Sequence, residues 1–382
     1  MEFRVDKLHW PDIVVALATA ERALGRLAHA LEITPLHGTW LWRELVRVSV
    51  LVAQARGFHA RVDHLRLALI GVPFERGDHT PGLADARRVF LSAAPLFRKT
   101  NETDSRSALW PRDWDPDGGS SEEIPPADRH EVDRGVADRA QLVHLVDELT
   151  GFAGDGRRPA LINLLVDLRE KAAERNLPPA LVRITLPLAL VKAGLVPKAA
   201  PGLLGGRRLA LGMSRASPDA RPLTPWLASA LGELAREADL SRKRLAELTC
   251  QHQAWHKALS EARLRKHARA PAALDLLAAT PVLTIGLVAD HLDISHVAAG
   301  TIVARLVDLG ILAELTSRSR HKVFIARDLS TPDRAGADVD APLSLSEPVP
   351  AVDVDAVGAT LDQLFGELDR QLARTRRAEG AG

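Results

Sequence analysis

Two histidines four residues apart, His252 and His256, are the first residues whose spacing could support chemistry. This is the spacing of paired zinc ligands on one face of a helix, and Cys250 is a candidate third ligand. A metalloprotease of this pattern needs a glutamate as general base next to the first histidine, where this chain has Gln253. We therefore interpret the pair as incidental histidines on a basic helix, and expect no metal or other cofactor.

Two other segments carry ligand-like residues. Residues 113–118 match the start of a calcium-binding loop, but the twelfth position of that loop is Ile124 rather than a bidentate glutamate. Residues 202–208 combine glycines with two arginines, yet they lack the lysine and the strand-to-helix context of a phosphate-binding loop. We interpret the first as an ordinary acidic loop and the second as a turn.

The clearest functional pattern lies in residues 270–328. Thr284 and Ser295 are typical N-cap residues of two short helices, and Gly310 is typical of the residue after a helix C-terminus. Two extended stretches follow, joined by the basic residues 317–320. A helix, a helix-turn-helix and a basic two-stranded wing in this order predict a winged helix-turn-helix with a small β-wing.

The third helix of this pattern and the wing supply the candidate DNA contacts. A helix with small exposed side chains fits a major groove about 12 Å wide, while basic residues at a wing can contact phosphates or the neighbouring minor groove. The predicted base-contacting residues are Ser295, His296, Thr301 and Arg305. The predicted wing contacts are Arg318, Arg320, His321 and Lys322. A winged domain that binds protein instead of DNA is the open alternative.

Charge and composition limit the other classes of function. The whole chain has 50 Lys and Arg against 49 Asp and Glu, so any signal for nucleic acid has to be local, as in residues 295–327 with five basic and two acidic residues. The single cysteine excludes an intrachain disulfide framework. No signal-peptide pattern and no span of about 20 uncharged residues occurs, so we expect a cytoplasmic protein without a membrane partner.

The elements that must position these residues are mostly helices. Aromatic residues make up only 4% of the chain and tyrosine is absent, which disfavours a large sheet and predicts a mainly α fold. The segments expected are an N-terminal helical region (1–100), an acidic flexible loop (101–139), a central helical region (140–223), a long basic helix or helix pair (224–269), the winged helix-turn-helix (270–328), a disordered tail (329–350) and a C-terminal amphipathic helix (351–382).

Several short runs resemble known families. The sequences at 273–277, 280–284 and 306–312 resemble the winged helix that ends many Fic-family proteins. The order of segments, with the Trp/Asp-rich stretch 110–115, resembles an uncharacterised bacterial family that joins a helical domain of unknown function to a helix-turn-helix DNA-binding domain. The resemblance implies a multi-helical region followed by a DNA-binding domain.

The catalytic loop of Fic enzymes, with its His-Pro-Phe and Gly-Asn-Gly-Arg runs, has no counterpart in this chain, so AMP transfer is not expected and the protein is not expected to be an enzyme. The main hypothesis is a transcriptional regulator that binds double-stranded DNA as a homodimer, since regulators often contact two half-sites. The alternative is a degenerate Fic-like protein that serves as a nucleotide-binding or protein-interaction module.

Overall fold

The computed structural model describes residues 9–69, 80–101, 139–149, 159–174, 179–201, 203, 223–262, 269–315 and 322–327. Within these residues the fold is mainly helical with one small three-stranded sheet, which confirms the fold class at this level. The predicted acidic loop (101–139, apart from its two end residues), disordered tail (329–350) and C-terminal helix (351–382) lie outside the described residues.

The helices before residue 262 are α1 (Trp10–Ile33), α2 (His37–Ala55), α3 (Val62–Leu69), α4 (Pro81–Thr100), α5 (residues 139–149), α6 (Ala160–Glu174), α7 (Pro179–Lys192) and α8 (Leu223–Glu261). The remaining elements are α9 (Ala270–Ala279), β1 (Val282–Thr284), α10 (Ile285–Leu292), α11 (His296–Asp308), β2 (Leu312–Glu314) and β3 (Val323–Ala326). Of the basic segment 224–269, expected as one helix or a pair, the part up to Glu261 lies in one helix of 39 residues, α8.

Helices α1 and α8 pack along each other and form the centre of the first hydrophobic core. The apolar residues that recur at three- and four-residue spacing in α1 are all buried, including Leu24, Leu27 and Leu31. Helix α2 packs against α4, where Trp42 and Phe90 meet edge to face with ring centroids 6.1 Å apart. Periodic apolar residues therefore place one face of each helix against its neighbours.

Helix α8 contributes to two hydrophobic cores. Its first part, from Trp226 to Leu248, lies in the core shared with α1 and α2. Near its other end, Trp255 and Leu259 pack into a second core with buried residues of α9, α10, α11, β2 and β3. One continuous helix thus holds the helical body and the residues after 269 together.

The small sheet has the strand order β1-β3-β2 and is antiparallel throughout. Leu283 and Phe324, which are paired in the register of β1 and β3, contribute to the second core. On the other face, Val323 and Ile325 pack with Leu67 of α3. All four residues of β3 are buried, because both faces of the strand are covered.

A buried ion-pair cluster joins α2 to α8. The carboxylate of Glu44 accepts hydrogen bonds from Arg47 at 3.0 and 2.7 Å and from Arg244 at 2.8 and 3.2 Å, and Arg244 also donates to the hydroxyl of Ser241 at 3.0 Å. Burial alone raises the pKa of Glu44, but the charges of the two arginines and their hydrogen bonds outweigh it, so the pKa is lowered. Glu44 is therefore an anion inside the core.

His37, the first residue of α2, is a buried histidine next to a cation. The residue is 5% exposed, and burial followed by the charge of Lys198 lowers its pKa from 6.5 to about 4. Since the unfolded chain gains a proton near pH 6.5 and the folded chain gains it only near pH 4, the free energy of unfolding should fall as the pH drops through this window. The expected loss at pH 5 is about 2 kcal/mol relative to neutral pH.

Urea unfolding of the wild type and of His37→Gln at several pH values between 7 and 4 measures this effect. The variant has a neutral side chain at every pH, so its stability should decline less steeply below pH 6.5. Parallel pH profiles for the two proteins would show that His37 is not the group responsible.

Candidate nucleic-acid interface

A tight turn sets the relation between α10 and α11. The Thr284 hydroxyl accepts a hydrogen bond from the backbone N–H of Leu287 at 3.1 Å and starts α10. Helix α10 ends at Asp293, which has the left-handed conformation φ 52°, ψ 56°. The Ser295 hydroxyl then accepts from the N–H of Ala298 at 3.2 Å and starts α11. The two N-caps predicted from the sequence are therefore confirmed.

One face of α11 is buried, and its residues recur at three- and four-residue spacing. Ala299, Ile302, Val303 and Leu306 are buried in the second core. The chain leaves the helix through Gly310 at φ +69°, a conformation that favours glycine. Because one face is fixed against the core, α11 presents the opposite face to solvent.

The predicted base-contacting residues at the start of this helix and along it differ in how exposed their side chains are. Ser295, His296 and Thr301 are exposed, whereas Arg305 is half-buried and has its guanidinium 3.7 Å from the carboxylate of Asp308. The Thr301 hydroxyl donates to the carbonyl of Val297 at 3.0 Å, which leaves its oxygen free to accept. Ser295 uses its oxygen as the cap and keeps its hydroxyl hydrogen for a second partner.

The predicted wing is described only in part. Arg318, Arg320 and His321 lie outside the described residues. Lys322 is exposed, and its ammonium group donates to the carboxylate of Glu314 at 3.0 Å. This exposed ion pair joins the end of β2 to the residue before β3, where it fixes Lys322 only weakly.

The charges of the described residues alone do not favour an anionic partner. Between 285 and 315 and between 322 and 327 there are three basic and four acidic side chains. These are Arg305, Lys322, Arg327, Asp290, Asp293, Asp308 and Glu314. The basic excess of the region therefore depends on Arg318 and Arg320 between the two strands.

One exposed apolar residue of this surface was not predicted from the sequence. Val297 is 81% exposed in the first turn of α11, on the side opposite the buried residues. Its position five residues before Ile302 already places it off the apolar face of a helix. Together with Ala298 and Ala304, which are also exposed, it gives α11 a smooth surface of small side chains. Apolar side chains of this kind contact the methyl group of thymine in major grooves.

The helical body holds the residues after 269 through polar contacts as well as through α8. Arg43 of α2 donates from Nε to the carbonyl of Ala278 at 2.5 Å and from Nη2 to the carbonyl of Leu277 at 3.4 Å. These carbonyls belong to the last turn of α9, where a cation is favourable because the backbone groups carry partial negative charge. Helix α9 is thus fixed by α2 as well as by α8.

No known family model matches this sequence, and none of the curated proteins is significantly similar to it. Among the described helices, none has both the length and the apolar character that a membrane crossing requires.

Proposed function

We propose that residues 270–328 form a winged helix-turn-helix that binds double-stranded DNA, and that the protein is a cytoplasmic transcriptional regulator. The observation that carries the proposal is the exposed face of α11, which is lined by small side chains and follows directly on the tight turn after α10. In a helix-turn-helix, the helix after the turn lies in the major groove with its N-terminal residues against the bases.

The dimensions of α11 support this role. A helix with side chains is about 10–12 Å across, close to the roughly 12 Å width of the major groove, so small residues on the exposed face are an advantage. Val297, Ala298 and Thr301 lie on that face in the first half of the helix. They would meet base edges, with Thr301 as hydrogen-bond acceptor and Val297 as an apolar contact for thymine.

The basic residues between β2 and β3 supply the attraction for phosphate. Arg318 and Arg320, together with Lys322, place three cations within five residues. In the proposed complex these side chains contact the backbone beside the groove that α11 enters, which gives affinity without sequence selectivity. The base contacts of α11 give the selectivity.

The family resemblance supports the same role. Segments 273–277, 280–284 and 306–312 lie in α9, around β1 and from the end of α11 into β2, and they resemble the winged helix at the end of many Fic-family proteins. We further propose that two copies bind two half-sites as a homodimer, with the helical body as the scaffold.

Binding to a protein is the second candidate function. Two exposed apolar side chains favour it, Val297 at 81% and Leu315 at 43%, as does the acidic excess of the described residues on this surface. Exposed apolar groups of this size suit a protein partner as well as a thymine methyl group. The two candidates differ in whether duplex DNA binds at low salt.

Fluorescence anisotropy of the full-length protein on duplexes from its own gene neighbourhood and on random duplex tests the proposal. The decisive variant is Val297→Glu, because a carboxylate in the first turn of α11 would face the bases and phosphates while leaving the core untouched. We expect the preferred duplex to bind at least about 10-fold more weakly, a loss of roughly 1.4 kcal/mol.

Val14→Glu is the matched control, since Val14 is an exposed valine on α1 and the substitution adds the same charge. It should bind DNA like the wild type. If the two variants bind DNA equally well, α11 is not part of the DNA interface. If the wild type binds no duplex at low salt, a protein partner is favoured.

A further inference from the structure

Three metal-ligating side chains from two helices meet at the end of α8. Nε2 of His252 lies 2.8 Å from Oδ1 of Asp275 and 3.1 Å from Nε2 of His256. Nε2 of His256 lies 3.5 Å from the same Oδ1. The histidines are one helical turn apart on α8, and Asp275 is in the middle of α9. Among the residues that the structure describes, no other group of three His, Cys, Asp or Glu side chains brings its ligand atoms this close together.

The three ligand atoms have the spacing of a metal's coordination shell. In a tetrahedral zinc site with bonds of 2.0–2.1 Å, two ligand atoms lie about 3.3 Å apart. The separations of 2.8, 3.1 and 3.5 Å seen here are close to that distance. A point about 2.05 Å from all three atoms lies roughly 0.9 Å out of their plane. The distances alone therefore allow one cation at that point to contact all three atoms.

No arrangement of protons makes all three contacts hydrogen bonds. Three close contacts join the three atoms, but the two ring nitrogens carry at most two protons between them, and a carboxylate oxygen carries none. At least one contact therefore brings together two lone pairs or two N–H groups. A cation among the three atoms makes every contact favourable at once.

We propose that His252, His256 and Asp275 bind a divalent transition-metal ion, with zinc as the best-suited ion. Two imidazoles and one carboxylate are zinc ligands, and three protein ligands leave one position for water. The site is open enough for that water, since the side chain of Asp275 is 57% exposed and that of His256 is 36% exposed. The ion would tie the end of α8 to α9 and hold the region after 269 on the helical body.

The structure also corrects the ligand set considered from sequence. Cys250 is exposed and is not part of this group, although it is only two residues from His252. Two residues along a helix turn the side chain to a different face, whereas four residues return it to the same face. The third ligand atom comes instead from Asp275, which only tertiary packing brings to the histidines.

Zinc binding by the full-length, untagged protein tests the site. The protein is stripped with a chelator, desalted and titrated with Zn²⁺ by calorimetry, and retained metal is counted by elemental analysis. We expect one saturable equivalent per chain and a higher Tm with zinc than without it. Co²⁺ in place of zinc should give the visible absorption of a tetrahedral ion.

His252→Ala and His256→Ala should each weaken Zn²⁺ binding by more than the roughly 10–100-fold that loss of an outer-shell partner costs. Asp275→Asn, which keeps the shape of the side chain, should weaken it as well. The matched control is His29→Ala, an exposed histidine on α1, which should bind like the wild type. Each variant is first checked for wild-type circular dichroism, so that loss of folding is distinguished from loss of a ligand.

Absence of saturable binding below about 10 µM, or binding that survives both histidine substitutions, would overturn the assignment. Because the readouts are metal content, calorimetry and absorption, these outcomes are independent of whether the protein binds DNA.

Discussion

Replacing Arg318, Arg320 and Lys322 together by alanine is expected to weaken binding to duplex DNA by roughly 500-fold at about 0.1 M salt. Each lysine or arginine that neutralises a phosphate releases condensed counterions, and at this salt concentration one such contact contributes about 8-fold to the binding constant. The same loss should appear in the salt dependence. If the wild type makes about four phosphate contacts, its log–log slope is near −3.6, and three lost contacts flatten it by about 2.7.

A second triple variant controls for the change in net charge. Arg22, Arg61 and Lys99 are exposed residues of the helical body, distant in sequence from residues 318–322. Alanine at all three positions also removes three positive charges. Anisotropy at four or five salt concentrations should give this control a slope within about one unit of the wild type, since a contact contributes about 0.9. A wing variant that keeps the wild-type slope would show that these three residues do not contact phosphate.

Replacing Glu44 by alanine is expected to lower the free energy of unfolding by about 3–5 kcal/mol. The substitution leaves the guanidinium groups of the half-buried Arg47 and Arg244 facing one another without their shared carboxylate. Glu44 has 4% of its side chain exposed, so water cannot replace the lost partner. Urea unfolding followed by circular dichroism measures the difference.

Asp239→Ala is the matched control for this experiment. Asp239 also pairs with an arginine on another helix, Arg26 at 3.1 Å, but about half of each side chain is exposed. Its removal should cost less than about 1 kcal/mol. Similar losses for the two variants would mean that the buried cluster contributes no more than a surface ion pair. Since the pKa of Glu44 is lowered, its contribution should be present above pH 4.5 and decline as the pH falls below that value.

Local signals in the sequence correctly predicted where α10 and α11 begin. Thr284 and Ser295 cap their helices through a hydroxyl and a backbone N–H three residues later, so neither prediction needs information from elsewhere in the chain. The buried face of α11 follows from the same kind of signal, a spacing of three and four residues. Such contacts are short in sequence and depend on residue type alone.

Contacts between helices could not be predicted in this way. In the sequence, Glu44 and Arg47 are simply two charged residues within the apolar stretch 41–52. In the structure they pair with Arg244, 200 residues further along the chain. Asp275 and its two histidines are another case, since nothing in the spacing of α8 indicates which side chain of α9 will face it. The partner of a polar residue depends on the packing of whole helices, which short-range patterns do not encode.

Helix α8 packs into both hydrophobic cores, which couples their unfolding. Trp226 and Leu248 are packed in one core while Trp255 and Leu259 are packed in the other, without a break in the helix between them. Loss of either core exposes one end of the same helix, so the two should melt in a single calorimetric transition whose van't Hoff and calorimetric enthalpies agree. A fragment that starts at residue 269 lacks Trp255 and Leu259 and should aggregate more than one that starts just upstream of Trp255, although both lack Leu67, which covers Val323 and Ile325 in the whole chain.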